Sequence, residues 1–157
     1  MIEEKHIKEI ENLINKEKII QFELLQISFD IACIKIKLED NNKFIVKYNV
    51  KSQGTFNAIE SEAKNLKYLN KIFNFFPKFI NSNKNCLIIE FFENDGNKPT
   101  NTNKDFLESI VKIHNITNNL YGFECNAQIG ALEQSNEFEN SWTNFYTNKR
   151  LDPIFEL

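Results

Sequence analysis

From Ile19 to Phe92 the chain carries its apolar residues in an order that few folds accommodate: three strand-like runs, one long helical run, then two more strand-like runs. Apolar residues dominate IIQFELLQIS, IACIKIKLE and KFIVKYNV, and DNNK supplies a turn between the last two, so an antiparallel sheet is expected. The next stretch, FNAIESEAKNLKYLNKI, puts Ile59, Ala63, Leu66 and Leu69 on one side and charged residues on much of the other, the pattern of a helix packed on that sheet. FPKFI and CLIIEFF then straddle the polar turn NSNKN and add two strands. Ahead of the sheet, Ile7, Ile10, Leu13 and Ile14 recur at helical spacing, with acidic residues near the start, where the helix field favours negative charge. Helix, three strands, helix, two strands is the predicted order.

After the last strand, ENDGNKPTNTNK is too polar and turn-rich to continue it, and it separates the sheet from a helical pattern around FLESIVKIHNI. The chain therefore divides into residues 1–93, a linker at 94–101 and a second segment at 102–157. That segment contains no repeat and no low-complexity tail, and a short helix is expected from about Trp142 onward.

Composition closes off several functions. Lys and Arg number 19 against 22 Asp and Glu, and neither sign collects into a block, which argues against nucleic-acid binding. No uninterrupted apolar stretch is long enough to span a bilayer, and the amino terminus, acidic and charged, lacks the order of a signal peptide. Cys33, Cys86 and Cys125 form an odd set with no CxxC spacing, against both a disulfide framework and a closed zinc site; a reducing cytoplasm fits best, and no metal ligand is assigned. The 15 phenylalanines supply apolar bulk for a real core.

The chemistry-bearing residues lie in the strand–helix–strand part. Lys47 in FIVKYN and Glu62 in ESEAKNL place a strand lysine where it reaches a helix carboxylate across the inner face of the sheet, an arrangement that holds an ammonium against nucleotide phosphate. Taken alone, such a pair is commonly a solvated surface ion pair. LIIEFFE, from Leu87 through Glu93, brings backbone donors and acceptors to a strand end, where they can read an adenine edge, or it is simply a buried strand ending at an acidic turn.

These segments, with YGFECNAQIGALEQSNEFENSWTNFYTNKRL downstream, resemble the fructosamine kinase, or ketosamine kinase, family of the aminoglycoside-phosphotransferase-like kinases. The matching positions are Gly122 and Phe123, Ile129 and Gly130, Gln134 and Asn136, Trp142 and Phe145, then Arg150 and Leu151. The resemblance implies an α+β fold: a protein-kinase-like amino-terminal lobe with a five-stranded, mostly antiparallel sheet and a packed helix, followed by the opening of a mainly helical second lobe. It further implies ATP and magnesium as cofactors and a glycated amine as the phosphoryl acceptor. Lys47 becomes the phosphate-contacting lysine, Glu62 its helix partner, and Glu90 and Phe91 part of the nucleotide-binding hinge.

Gln134, Asn136 and Trp142 are candidates for the substrate region. Gln134 and Asn136 equally suit a local loop network. Trp142, Phe145 and Tyr146 suit either a sugar-binding wall or a packing face, and Arg150 either caps a helix or holds an acidic partner.

Two departures from the family pattern carry expectations. Where the family has a Gly-rich opening after an Ile-Ser pair, this chain has Ile27, Ser28, Phe29, Asp30 and Ile31, so side chains crowd the turn and Asp30 adds negative charge unless it faces outward. The sequence also stops at RLDPIFEL, before a His-Gly-Asp type loop and a later metal-binding Asp, so no catalytic residue is assigned. The expectation is a nucleotide-binding, phosphotransferase-derived chain without efficient transfer of its own. A noncatalytic interaction domain, or half of a split kinase completed by a carboxyl-terminal partner, is the alternative.

Overall fold

The computed structural model describes residues 3–15, 17–51, 56–94, 96–98, 100, 103–130 and 132–155. They fall into two units, one of residues 1–92 with 127–133, the other of residues 93–126 with 134–157.

The first unit opens with helix α1 (Glu4–Leu13), followed by strands β1 (Ile19–Ser28), β2 (Ile31–Leu38) and β3 (Lys43–Asn49). Helix α2 (Ala58–Ile72) and strands β4 (Phe79–Ser82) and β5 (Cys86–Glu90) complete the predicted order. The five strands pair antiparallel throughout, in the order β1-β2-β3-β5-β4.

Because successive side chains leave a strand on opposite faces, the sheet has two distinct sides. Along β2, Ala32, Ile34, Ile36 and Leu38 are buried and join Val46, Tyr48, Cys86 and Ile88 beneath Ile10 of α1 and Ile14, which follows the helix. On the other side Ile59, Ala63 and Leu66 of α2 pack with Leu87 and Ile89. Each fully buried Ile or Leu contributes about 1.5–3 kcal/mol, so these two layers dominate the stability of the unit.

Polar contacts fix the helices on these layers. Asn57 caps α2, its side chain accepting from the backbone N–H of Ile59 (3.1 Å) and Glu60 (3.2 Å). Glu9 of α1 accepts from the Tyr48 hydroxyl at 2.8 Å and from the side-chain amides of Asn83 (2.7 Å) and Asn85 (3.3 Å). The Asn81 amide donates to the Leu13 carbonyl at 2.8 Å, closing the far end of the same helix.

The second unit holds helix α3 (Lys104–His114), capped by Asn103, whose side chain accepts from Phe106 N–H at 2.9 Å. Near its end helix α4 (Trp142–Tyr146) runs through a π-helical turn (Thr147–Leu151) into α5 (Asp152–Phe155).

A small hairpin of β6 (Ala127–Ile129) and β7 (Leu132–Gln134) was not anticipated by the sequence reading. Three residues per strand are too few to display a period of two. Residues 127–133 belong to the first unit, where β6 lies against α2.

Candidate functional site

Lys47 sits in the middle of β3, opposite Cys33 of β2 and Leu87 of β5. Its Nζ lies 2.5 Å from Glu62 Oε1, and the two side chains are 29% and 39% exposed. Glu62 adjoins the buried Ala63, so the packing of α2 on the sheet sets the direction in which its carboxylate leaves the helix. A half-exposed pair of this kind adds little stability, and its consequence is positional: it holds a cation at a defined point on the inner face of the sheet. Cys33 shares that face. Burial pushes its thiol above the ordinary value, with Lys47 opposing and Glu62 adding to the rise.

Glu90 and Phe91 lie toward the other end of β3. Phe44 pairs with Glu90, three residues from Lys47, or about 10 Å at strand rise. The Glu90 carboxylate accepts from the Lys78 backbone N–H at 3.1 Å, with Lys78 Nζ 3.8 Å away. Its side chain is thus committed to β4's approach. The Phe91 ring lies within cation–π reach of Lys35 Nζ (4.5 Å) and Lys43 Nζ (5.6 Å), and Lys35 also pairs with Glu23 at 3.6 Å.

The β1–β2 hairpin turns at Phe29 and Asp30, whose φ angles of 49° and 61° are both left-handed, as in a two-residue primed turn normally built from Asn and Gly. Asp30 Oδ1 meets Lys51 Nζ at 2.8 Å, which neutralises the charge that the sequence placed near the phosphate position. The Phe29 ring reaches toward Gly130, within 3.5 Å of where a Cβ would stand there. Behind that ring is a cavity of about 280 Å³ walled by the hairpin tip, by α2 and by β6. Asn65, Gln128 and Gly130 line it, none of which the sequence reading had singled out in that role. Their signal lies in topology, since only the hairpin 127–133 brings them beside α2.

The remaining candidates are in or next to the second unit. Gln134 is the half-buried last residue of β7. Asn136 is 7% exposed and fully engaged: its Nδ2 donates to the Cys125 carbonyl at 2.8 Å and its Oδ1 accepts from Arg150 Nη2 at 2.5 Å. Arg150 also donates to the Ser135 carbonyl at 2.7 Å and stacks on the Phe145 ring at 4.4 Å. The matching Asn and Arg thus form a latch within this unit. Trp142, 55% exposed, stacks on Tyr146 at 5.5 Å and meets Tyr121 edge-on at 5.9 Å, whereas Phe145 is buried.

Among the described residues no group of three or more His, Cys, Asp or Glu side chains is placed to hold a metal ion. No helix of the described residues is long and apolar enough to cross a membrane.

Comparison with known proteins gives one family and one fold. The fructosamine kinase family model matches residues 5–157. A candidate fructosamine-3-kinase from Thermobifida fusca YX-ER1 superposes with a TM-score of 0.81 at 19% identity, the match covering 96% of this chain and 52% of that one. Another from Haemophilus somnus 129PT gives 0.73 at 20% identity, covering 92% and 50%. Identities this low carry the fold alone, and the chain spans about half the length of these two structures. No curated protein matches it.

Proposed function

The chain belongs to the fructosamine kinase family, and from that premise we propose that it forms the nucleotide-facing part of an ATP-dependent phosphotransferase acting on glycated amines. Bound ATP would supply the phosphoryl group. Lys47 holds a positive charge against the phosphates, and Glu62 keeps the ammonium from swinging into solvent. The backbone beyond Glu90, whose own N–H already donates to the Lys78 carbonyl at 3.0 Å, would offer hydrogen bonds to the adenine edge beside the Phe91 ring.

The observation that carries this reading is the Lys47–Glu62 contact of 2.5 Å on the inner face of the sheet. Magnesium belongs to this reading only as a cofactor of the complete family, and no residue of this chain is given a catalytic role. A reducing compartment belongs to the same reading, since Cys33, Cys86 and Cys125 are all free. Gln134, Asn136 and Trp142 stay with the substrate region as part of the proposal, Asn136 as a positioning residue because its amide is already engaged.

Equilibrium dialysis with ATP and magnesium tests it. Saturable binding is expected, weakened at least tenfold in Lys47→Ala, a loss of about 1.4 kcal/mol or more. Unchanged binding in the variant rejects the role given to Lys47.

One observation favours a second reading, a noncatalytic surface for another polypeptide: α3 buries none of its residues although Phe106, Leu107, Ile110 and Val111 share its length. Sedimentation velocity with a carboxyl-terminal half of a family member supports this only if a discrete complex forms.

A further inference from the structure

The Lys47–Glu62 contact does not hold itself in place. With side chains 29% and 39% exposed, the pair is worth too little to decide where α2 sits. Ile59, Ala63 and Leu66 against Leu87 and Ile89 set how closely the helix approaches the sheet, but burial of apolar surface is non-directional and defines position along the helix axis less sharply than hydrogen bonds do. A directional contact at the start of α2 supplies the rest.

That contact is made by Asn57. Its Oδ1 caps the helix, accepting from Ile59 N–H at 3.1 Å and Glu60 N–H at 3.2 Å, while its Nδ2 donates to the Lys84 carbonyl in the β4–β5 turn at 2.7 Å. Asn49 Nδ2 donates to the same carbonyl at 3.2 Å, and Asn49 N–H donates to the Asn85 carbonyl at 2.9 Å. One oxygen thus receives both the end of β3, two residues past Lys47, and the cap of α2, five residues before Glu62.

The turn that carries this oxygen is itself braced. Asn83 Oδ1 accepts from the N–H groups of Asn85 (2.8 Å) and Cys86 (2.9 Å), and Asn83 N–H donates to the Cys86 carbonyl at 2.9 Å, so the Lys84 carbonyl has a fixed direction. Asn49 is 7% exposed and its buried Oδ1 accepts no hydrogen bond, an uncommon and costly state; what its side chain contributes here is the Nδ2 donor. The residue type at 57 is explained in the same way. Ser, Thr, Asp and Asn all cap helices well, but only Asn carries an acceptor and a donor on separate atoms.

We propose that Asn57 is a positioning residue for the phosphate-facing lysine: through the Lys84 carbonyl it ties the start of α2 to the end of β3 and so keeps Glu62 within reach of Lys47. The inference rests on the kinase reading above for what the pair does. Without the tie, α2 shifts along the sheet and Lys47 loses its partner while the fold persists.

Equilibrium dialysis of the full chain with ATP and magnesium tests it, as a double-mutant cycle with Glu62→Ala. Asn57→Asp and Asn57→Ser both retain a capping oxygen, so their urea midpoints should stay close to that of the parent chain. Both lack the Nδ2 donor, and each should weaken ATP binding by about fivefold, whereas in the Glu62→Ala background the same changes should alter it by less than about twofold. Agreement between the two variants separates the lost donor from the added charge of Asp.

Unchanged ATP affinity in either variant, or an equal loss with and without Glu62, makes Asn57 a helix cap alone and overturns the proposal. If the parent chain does not bind ATP, or binds it without regard to Lys47→Ala, the kinase reading fails, and relaxation dispersion NMR of the nucleotide-free chain then decides the tie by itself. Exchange broadening at the Lys47 and Glu62 amides in both Asn57 variants but not in the parent upholds it, and its absence overturns it.

Discussion

Glu9 shows how one carboxylate seats an element. Burial acts to raise its pKa, but the hydrogen bonds from Tyr48, Asn83 and Asn85 outweigh burial and hold it below the ordinary value of 4.5. A depressed carboxyl pKa means that the unfolded chain binds more protons between the two values, so stability rises with pH there. The contribution is complete above the ordinary carboxylate range and is lost as pH falls through the folded-state value. Glu9→Gln should therefore flatten the acid limb of the stability–pH profile measured by urea denaturation, and Glu9→Ala, leaving three donors short of an acceptor, should destabilise by about 1–3 kcal/mol at pH 7. The same logic applies to Arg150, whose planar fork meets the Ser135 and Lys149 carbonyls and Asn136 Oδ1 while lying on Phe145. A lysine cannot reproduce that fork. Arg150→Lys should lower the urea midpoint followed by Trp142 fluorescence, by about 1–3 kcal/mol, and an unchanged midpoint would mean that the latch is dispensable.

Gly122 fixes a pairing between segments rather than a single contact. Tyr121 exchanges backbone hydrogen bonds with Glu139, and Phe123 N–H donates to the Asn136 carbonyl at 2.8 Å, so two distant stretches run side by side at this point. At Gly122 itself φ is 152°, and a Cβ would stand 2.7 Å from the Asn136 carbonyl oxygen and 2.9 Å from Phe138 Cα. Gly122→Ala is thus expected to destabilise by about 2–4 kcal/mol, combining overpacking with backbone strain, and thermal unfolding monitored by Trp142 fluorescence reads it. In the sequence Gly122 stood out only as a position shared with the family, and the structure adds that glycine is needed there because backbone passes directly behind it. The longer elements were legible for a simple reason: α2 spans four turns, and its apolar face at Ile59, Ala63 and Leu66 repeats often enough to be seen. The strands β1 to β3 announced themselves by runs of seven to ten residues. The hairpin 127–134 escaped, and with it the cavity, because Asn65 and Gln128 are 63 positions apart and neither sits in a motif. Lys51, which neutralises Asp30, escaped for the same reason, being the far side of a contact that only the register of β2 and β3 creates.

The two units differ in how they bury their apolar residues, and this should show as unequal local stability. In the first, Ile34, Ile36, Val46 and Ile88 are completely buried in the layer beneath α1, and their backbone groups are paired within a five-stranded sheet. In the second, α3 contributes no buried residue, with Phe106, Leu107, Ile110, Val111 and Ile113 all at least 36% exposed. A helix of 11 residues is marginal in water unless an apolar face is covered, so α3 owes its persistence chiefly to the Asn103 cap and to favourable charges at its ends. Local opening free energies follow buried apolar contact, and the amides of α3 should exchange with solvent at least a hundredfold faster than those of β2, β3 and β5. Native-state hydrogen exchange of the isolated chain provides the measurement. A second arm decides between the readings of α3: if a partner polypeptide covers the helix, protection should rise selectively from Phe106 to Ile113 on its addition, whereas nucleotide should instead protect the region of Lys47. Equal protection of α3 and the sheet in the isolated chain would show that the exposed face of α3 does not limit its stability, and the case for a partner there would lapse.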